Sequence, residues 1–82
     1  MAKKKLAKFA RCTEFRERAG LSVNDLVVVL GNKPSKTSIN RVEDGFAILA
    51  SNAFRIANAI NKSLGDQGLA TFDVDDEVVR VD

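Results

Sequence analysis

The segment "LSVNDLVVVLGNKPSKTSINRVEDG", residues 21–45, carries two helix patterns separated by a turn. In the first pattern, Ser22 precedes Asp25 by three positions, which is the spacing of a capping box at a helix N-terminus. Gly31 stands where the left-handed residue that ends a helix is expected. We therefore predict a helix over 23–30, although its β-branched run alone favours a strand. Because this helix is apolar on nearly all sides, it is predicted to be buried.

The second pattern predicts a helix over 35–44 with one apolar and one polar face, at about 100° per residue. The inward arc contains Ile39, Val42, Glu43 and Phe46. The outward arc contains Lys36, Thr37, Asn40, Arg41 and Asp44. Ser35 is the expected N-cap with Ser38 at the N3 position, and Gly45 ends the helix. Pro34 either occupies the first position of a longer helix or stiffens a loop that holds Ser35.

Two further helices flank this segment. Apolar residues spaced by three and four predict a first helix over 4–19, ended by Gly20. Its stripe consists of Leu6, Phe9, Cys12, Arg16 and Ala19, and Phe15 widens it. Ser51 is the expected cap of a fourth helix, which ends near Lys62 before two glycines interrupt the pattern.

The tail, residues 63–82, differs from the rest. Its apolar residues alternate in two pairs, Phe72 with Val74 and Val79 with Val81, which predicts one or two short strands. A disordered acidic tail is the alternative. The expected fold class is therefore all-α: a compact domain of four helices, or five, with a short β-strand or hairpin at its C-terminus.

Composition limits the chemistry that this chain can perform. Its 82 residues, 45% hydrophobic and 29% charged, predict one folded domain. Cys12 is the only cysteine and histidine is absent, so we expect no disulfide, zinc site or histidine-based catalysis. Without an evident nucleophile and base, we predict no enzyme activity, cofactor, metal or small-molecule ligand. No apolar run reaches the roughly 20 residues of a membrane span or forms a signal peptide, so the predicted location is cytoplasmic.

Charge is distributed unevenly along the chain, although the net charge is only +2. Residues 1–20 hold seven Lys or Arg against two Glu, whereas residues 63–82 hold six acids against one Arg. A basic head suits a polyanion, because each cation that neutralises a phosphate releases a counterion. The alternative is a solvated, frayed terminus.

Six landmarks occur in order: Phe15-Arg16, Gly20-Leu21-Ser22, Leu30-Gly31, Ile39, Val42-Glu43 with Gly45, and Ile56-Ala57. With these landmarks, residues 9–62 resemble the Cro-type, lambda-repressor-like (XRE-type) helix-turn-helix family of bacterial and phage regulators. The resemblance implies a helix-turn-helix DNA-binding domain over 9–62. A basic arm at 1–8 would run into helix 1, and the acidic tail at 63–82 is a candidate dimerisation strand.

The resemblance also assigns a structural role to one pair of charges. It implies that Arg16 of the first helix and Glu43 of the third form a partly buried ion pair. The helical wheel agrees, because both residues lie on the inward sides of their helices. We expect this pair to hold the scaffold together and not to contact a ligand.

Further positions are implied to contact DNA. By resemblance, the third helix enters the major groove with Lys36 and Thr37 at base edges and Asn40 and Arg41 one turn further on. The remaining implied contacts are Ser35 and Lys33 near the start of that helix, and Ser22 and Asn24 at phosphates. The turn between Gly31 and Ile39 is two residues longer than the family commonly has, which leaves the start of the reading helix open.

These observations together predict a transcriptional regulator of a phage or mobile genetic element. It would bind a double-stranded DNA operator as a homodimer and act as a repressor by occluding polymerase. The alternative is a helix-turn-helix protein-interaction module, such as an antitoxin or antiactivator.

Overall fold

The computed structural model describes residues 5–81 of the chain. In order, the elements are β1 (Leu6–Lys8), α1 (Cys12–Arg18), α2 (Val23–Val29), α3 (Lys36–Glu43), β2 (Ile48–Leu49), α4 (Ala50–Asp66), α5 (Val74–Glu77) and β3 (Val79–Arg80). The described part is mostly helical, and its short strands form one antiparallel sheet in the order β2-β1-β3. No helix within 5–81 is long and apolar enough to cross a membrane. Lys3 and Lys4 of the predicted basic arm lie outside the described residues.

The prediction of one helix over 4–19 is wrong in its first half. The chain forms β1 there, paired with β2 on one side and β3 on the other, and α1 begins only at Cys12. Ala7 and Phe9 are buried while Lys8 between them is exposed, which is the period of two of extended chain. The same apolar residues also fit a helical stripe. Strand pairing decides between the two, and both partner strands come from distant parts of the chain.

The ends of α2 are those that its capping residues predict. The Asp25 N–H donates to Ser22 Oγ at 3.0 Å, and the Ser22 N–H donates to Asp25 Oδ2 at 3.0 Å, which completes the capping box. Gly31 has a φ of +64°, and its N–H donates to the Val28 carbonyl at 3.1 Å. The prediction that α2 is buried on nearly all sides is wrong. Only Leu26 is fully buried and Val28 is 79% exposed, because this short helix turns one face to the core.

The start of α3 settles the role of Pro34. The helix begins at Lys36 with Ser35 in the N-cap position, so Pro34 belongs to the turn and not to the first helical position. The Ser35 side chain makes no capping hydrogen bond, so the capping box expected with Ser38 is not formed. The turn that joins α2 to α3 therefore ends at Ser35.

The body of α3 has the predicted faces, with Ile39 and Val42 buried against the core. Phe46 departs from the prediction, since it is 57% exposed. Gly45, at a φ of +91°, ends the helical path before Phe46, so the helical wheel no longer applies there.

The fourth predicted helix is longer than its sequence pattern indicates. α4 starts one residue before Ser51 and continues to Asp66, past the predicted end near Lys62. The added turn buries Leu64 completely. Gly65 inside the helix costs about 1 kcal/mol relative to alanine. Burial of a leucine side chain contributes about 1.5 to 3 kcal/mol, which outweighs that cost.

The tail packs on the body of the domain. The Phe72 ring stacks on Phe15 with 4.1 Å between centroids, and Asn61 bonds both the N–H and the carbonyl of Phe72 at 2.9 Å. Val78 is also buried. The predicted strand at Phe72 and Val74 is wrong, because Val74 begins the short helix α5. The predicted strand at Val79 is present as β3, and it pairs with β1 of its own chain.

Candidate nucleic-acid interface

A partly buried ion pair fixes α3 against α1. Arg16 Nε donates to Glu43 Oε2 at 2.7 Å and Arg16 Nη2 donates to Glu43 Oε1 at 3.1 Å, which is a bidentate arrangement. Thr13 Oγ1 donates to the same carboxylate at 2.8 Å, and Arg16 Nη1 donates to the Leu21 carbonyl at 2.8 Å. The hydrogen bond to Glu43 raises the pKa of Arg16 further. The predicted Arg16–Glu43 pair is confirmed, and it ties together α1, α3 and the turn before α2.

The outward face of α3 carries the residues predicted to contact bases. All four are exposed: Lys36, Thr37, Asn40 and Arg41. The Arg41 guanidinium lies 5.6 Å from the centroid of the Phe46 ring, where the face of the ring attracts a cation. The exposed Phe46 ring thus contacts Arg41 at the C-terminal end of α3. Asp44, the acidic residue of this face, lies at the C-terminal end, away from Lys36 and Thr37.

Some described cations contact a carboxylate, and others, including those around α3, do not. Four cations contact a carboxylate: Arg11, Arg16, Arg18 and Lys62. Four cations on or beside α3 form no salt bridge within residues 5–81: Lys33, Lys36, Arg41 and Arg55. Within the described chain, these four cations therefore have no carboxylate at salt-bridge distance.

The start of α2 is less suited to phosphate than predicted. Ser22 and Asn24 are exposed, but the Ser22 N–H already donates to Asp25 and is not free for a ligand. Hydrogen bonds from Ser22 also lower the pKa of the Asp25 carboxyl, so that an anion stands at this helix end. Asn24 is exposed at this helix end, beside that negative charge.

The turn before α3 approaches the start of α4. Lys33 and Ser35, both expected near DNA, border an open depression that Asn52 and Arg55 of α4 also line. Arg55 Nη1 donates to the Lys33 carbonyl at 3.4 Å. Arg55 and Asn52 are absent from the residues predicted to contact DNA. Their positions in α4 show no special pattern in the sequence, and only the packing of α4 against the turn brings them to this surface.

The described residues offer no metal site and no exposed thiol. Within 5–81, no group of three or more His, Cys, Asp or Glu side chains could hold a metal ion. Cys12 is fully buried, and burial raises the pKa of its thiol to about 12. It is thus a core residue.

No family model, curated protein or solved structure matches this chain.

Proposed function

We propose that the chain is a sequence-specific DNA-binding transcriptional regulator of the Cro-like helix-turn-helix type. The observation that supports this most directly is the exposed polar face of α3, with its unpaired cations, on a helix held by the Arg16–Glu43 pair. An α-helix with its side chains is about 10 to 12 Å across. The major groove of B-DNA is about 12 Å wide and admits such a helix.

The side chains of this face suit base edges. Lys36 and Arg41 can donate to guanine O6 and N7, and Asn40 can bond adenine N6 and N7 together. The Thr37 methyl can contact the methyl group of thymine. Residues held by a fixed scaffold read bases more precisely, because less side-chain and backbone freedom is lost on binding.

A homodimer is part of this proposal, with each α3 in a successive major groove about 34 Å from the other. The β3 strand cannot add to a partner through the edge that it shares with β1. The exposed apolar side chains Leu49, Val79 and Val81 offer another contact, on the outer side of the sheet. We expect Val79→Glu to convert a dimer into a monomer in sedimentation velocity, and an unchanged sedimentation coefficient would remove this surface from the proposal.

The test of DNA binding uses the DNA upstream of the gene in a gel shift, repeated across salt concentrations. Each phosphate contact should contribute about 0.9 to the slope of log affinity against log salt. Arg41→Gln or Lys36→Gln should weaken operator binding by about 1 to 3 kcal/mol and relax discrimination against unrelated duplex. Lys62→Gln is the control, because Lys62 is an exposed cation near the C-terminal end of α4 and is paired with Asp66. Equal affinity for operator and unrelated DNA in the wild type would contradict sequence-specific reading.

The second candidate is a protein-interaction module of the antitoxin or antiactivator kind. Val28 and Val29 at the end of α2 are exposed, and such apolar residues favour contact with a protein. Val28→Ser distinguishes the two functions, since it should leave DNA binding by α3 unchanged. The second candidate would be supported if the wild type binds no duplex and if a protein that co-purifies with it is lost in the Val28→Ser variant.

A further inference from the structure

An open depression of about 430 Å³ lies between the turn before α3 and the first turns of α4, and we call it the turn pocket. Its polar lining consists of Asn32, Lys33, Ser35, Ser38, Ser51, Asn52 and Arg55. Two of these side chains are cations, the other five can donate hydrogen bonds, and none of the described lining residues is acidic. Such a lining is suited to an oxyanion with several acceptor oxygens.

The two cations of the turn pocket are positioned by different elements. Arg55 stands on α4 directly before Ile56 and Ala57, which are fully buried, so its backbone is fixed by the core. Lys33 stands in the turn, and its carbonyl accepts a hydrogen bond from Arg55 Nη1 at 3.4 Å. Neither cation forms a salt bridge within residues 5–81. The pocket therefore brings two uncompensated charges to one side of the proposed reading helix.

The turn pocket is formed where the turn before α3 approaches α4. Lys33, Pro34 and Ser35 of the turn line it together with Ser51, Asn52 and Arg55 of α4. The lysine and the arginine therefore reach the pocket from two separate elements.

We propose that the turn pocket binds one phosphodiester group of the DNA backbone, with Lys33 and Arg55 as the charged contacts. The proposal rests on the proposed DNA-binding function and adds α4 to the surface that contacts DNA. An arginine fork suits two oxygens of one phosphate, and a nearby lysine adds a point charge. The position beside α3, instead of on it, assigns Lys33 and Arg55 to the backbone and leaves the bases to Lys36 and Arg41.

The first experiment measures salt dependence for Lys33→Gln, Arg55→Gln and the double variant, with Lys62→Gln on the same helix as control. Loss of one phosphate contact should reduce the slope of log affinity against log salt by about 0.9. When the salt concentration rises from about 50 to 200 mM, the decrease in affinity should therefore be about 3.5-fold smaller for the variant than for the wild type. Operator and unrelated duplex should be affected by the same factor, because phosphates carry no sequence information. Circular dichroism melting checks that these surface variants fold.

The second experiment removes the charge from the DNA instead. Single methylphosphonate linkages are placed in turn at each phosphate flanking the operator half-site. One position should weaken binding of the wild type but not of the double variant Lys33→Gln/Arg55→Gln, because that variant has already lost both charged contacts. Lys62→Gln should respond to the same position as the wild type does.

The outcomes separate this proposal from the proposed function. If the wild type binds its operator with a steep salt slope but Lys33→Gln and Arg55→Gln keep that slope, the turn pocket is refuted and DNA binding by α3 stands. If Arg55→Gln affects the operator alone, Arg55 contacts a base and the proposal is equally refuted. Binding of inorganic phosphate in the pocket that leaves DNA affinity unchanged would assign the pocket to a free anion. If the wild type binds no duplex at all, both proposals are refuted together.

Discussion

Replacing Glu43 with glutamine should destabilise the domain by about 3 kcal/mol. The carboxylate accepts three hydrogen bonds, two from Arg16 and one from Thr13. Glutamine keeps the shape but loses the charge and one acceptor oxygen. Arg16, only 14% exposed, then keeps its charge without its salt-bridge partner. Removing one partner of a buried pair costs about 3 to 5 kcal/mol, and we expect the lower end because both side chains retain some contact with solvent.

Thermal unfolding followed by far-ultraviolet circular dichroism measures this effect. For a domain of this size, 1 kcal/mol shifts Tm by about 4 to 8 °C, so Glu43→Gln should melt about 12 to 24 °C below the wild type. Glu14→Gln is the matched control, because Glu14 also contacts two cations, Arg11 and Arg18, but at the surface. Its melting temperature should stay close to that of the wild type. If both variants melt within a few degrees of each other, the Arg16–Glu43 pair does not stabilise the domain as argued.

A binding measurement separates the scaffold role of this pair from contact with DNA. At a temperature where Glu43→Gln is still folded, its salt slope for operator DNA should equal that of the wild type, because Glu43 lies on the inner side of α3. A changed slope would place the Arg16–Glu43 pair within reach of the DNA phosphates.

Three further predictions concern the core, the cap of α2 and the tail. Burial raises the pKa of the Cys12 thiol to about 12, so iodoacetamide should modify the folded protein far more slowly than the urea-unfolded chain. Mass spectrometry measures both rates, and equal rates would count against a buried thiol. Hydrogen bonds from Ser22 lower the pKa of Asp25 below 3.8, so the stability that this cap adds is present above that pH and is lost as the pH falls below it. Asp25→Asn should therefore flatten the acid limb of a stability-against-pH curve, and an unaltered limb would show that the cap contributes nothing there. Phe72→Ala should lower the free energy of unfolding in urea by about 2 to 3 kcal/mol, since the ring stacks on Phe15 but is only partly buried. An unchanged urea midpoint would mean that the tail does not stabilise the body.

Features that depend on a few neighbouring residues could be predicted from the sequence. The capping box of Ser22 with Asp25 and the left-handed stop at Gly31 involve bonds that span three residues. The inward positions of Ile39 and Val42 follow from the pitch of one helix. The same pitch placed Glu43 on the inner side, and the family resemblance named Arg16 as its partner. The exposure of the outward face of α3 could therefore be predicted from the sequence, whereas its contact with DNA is a proposal.

Features that depend on distant segments were decided only by the tertiary structure. Residues 6–8 fit a helical stripe and a strand equally well, and they form a strand because β2 and β3, more than 40 and 70 positions away, supply the hydrogen bonds on both sides. α4 continues through Gly65 because the core buries Leu64. Arg55 carries no signal in the sequence, and the turn pocket exists only where α4 passes beside Lys33. Local bonds determine both ends of α2, whereas strand pairing and packing determine where α1 begins, how far α4 extends and which segments meet, and that requires the whole folded chain.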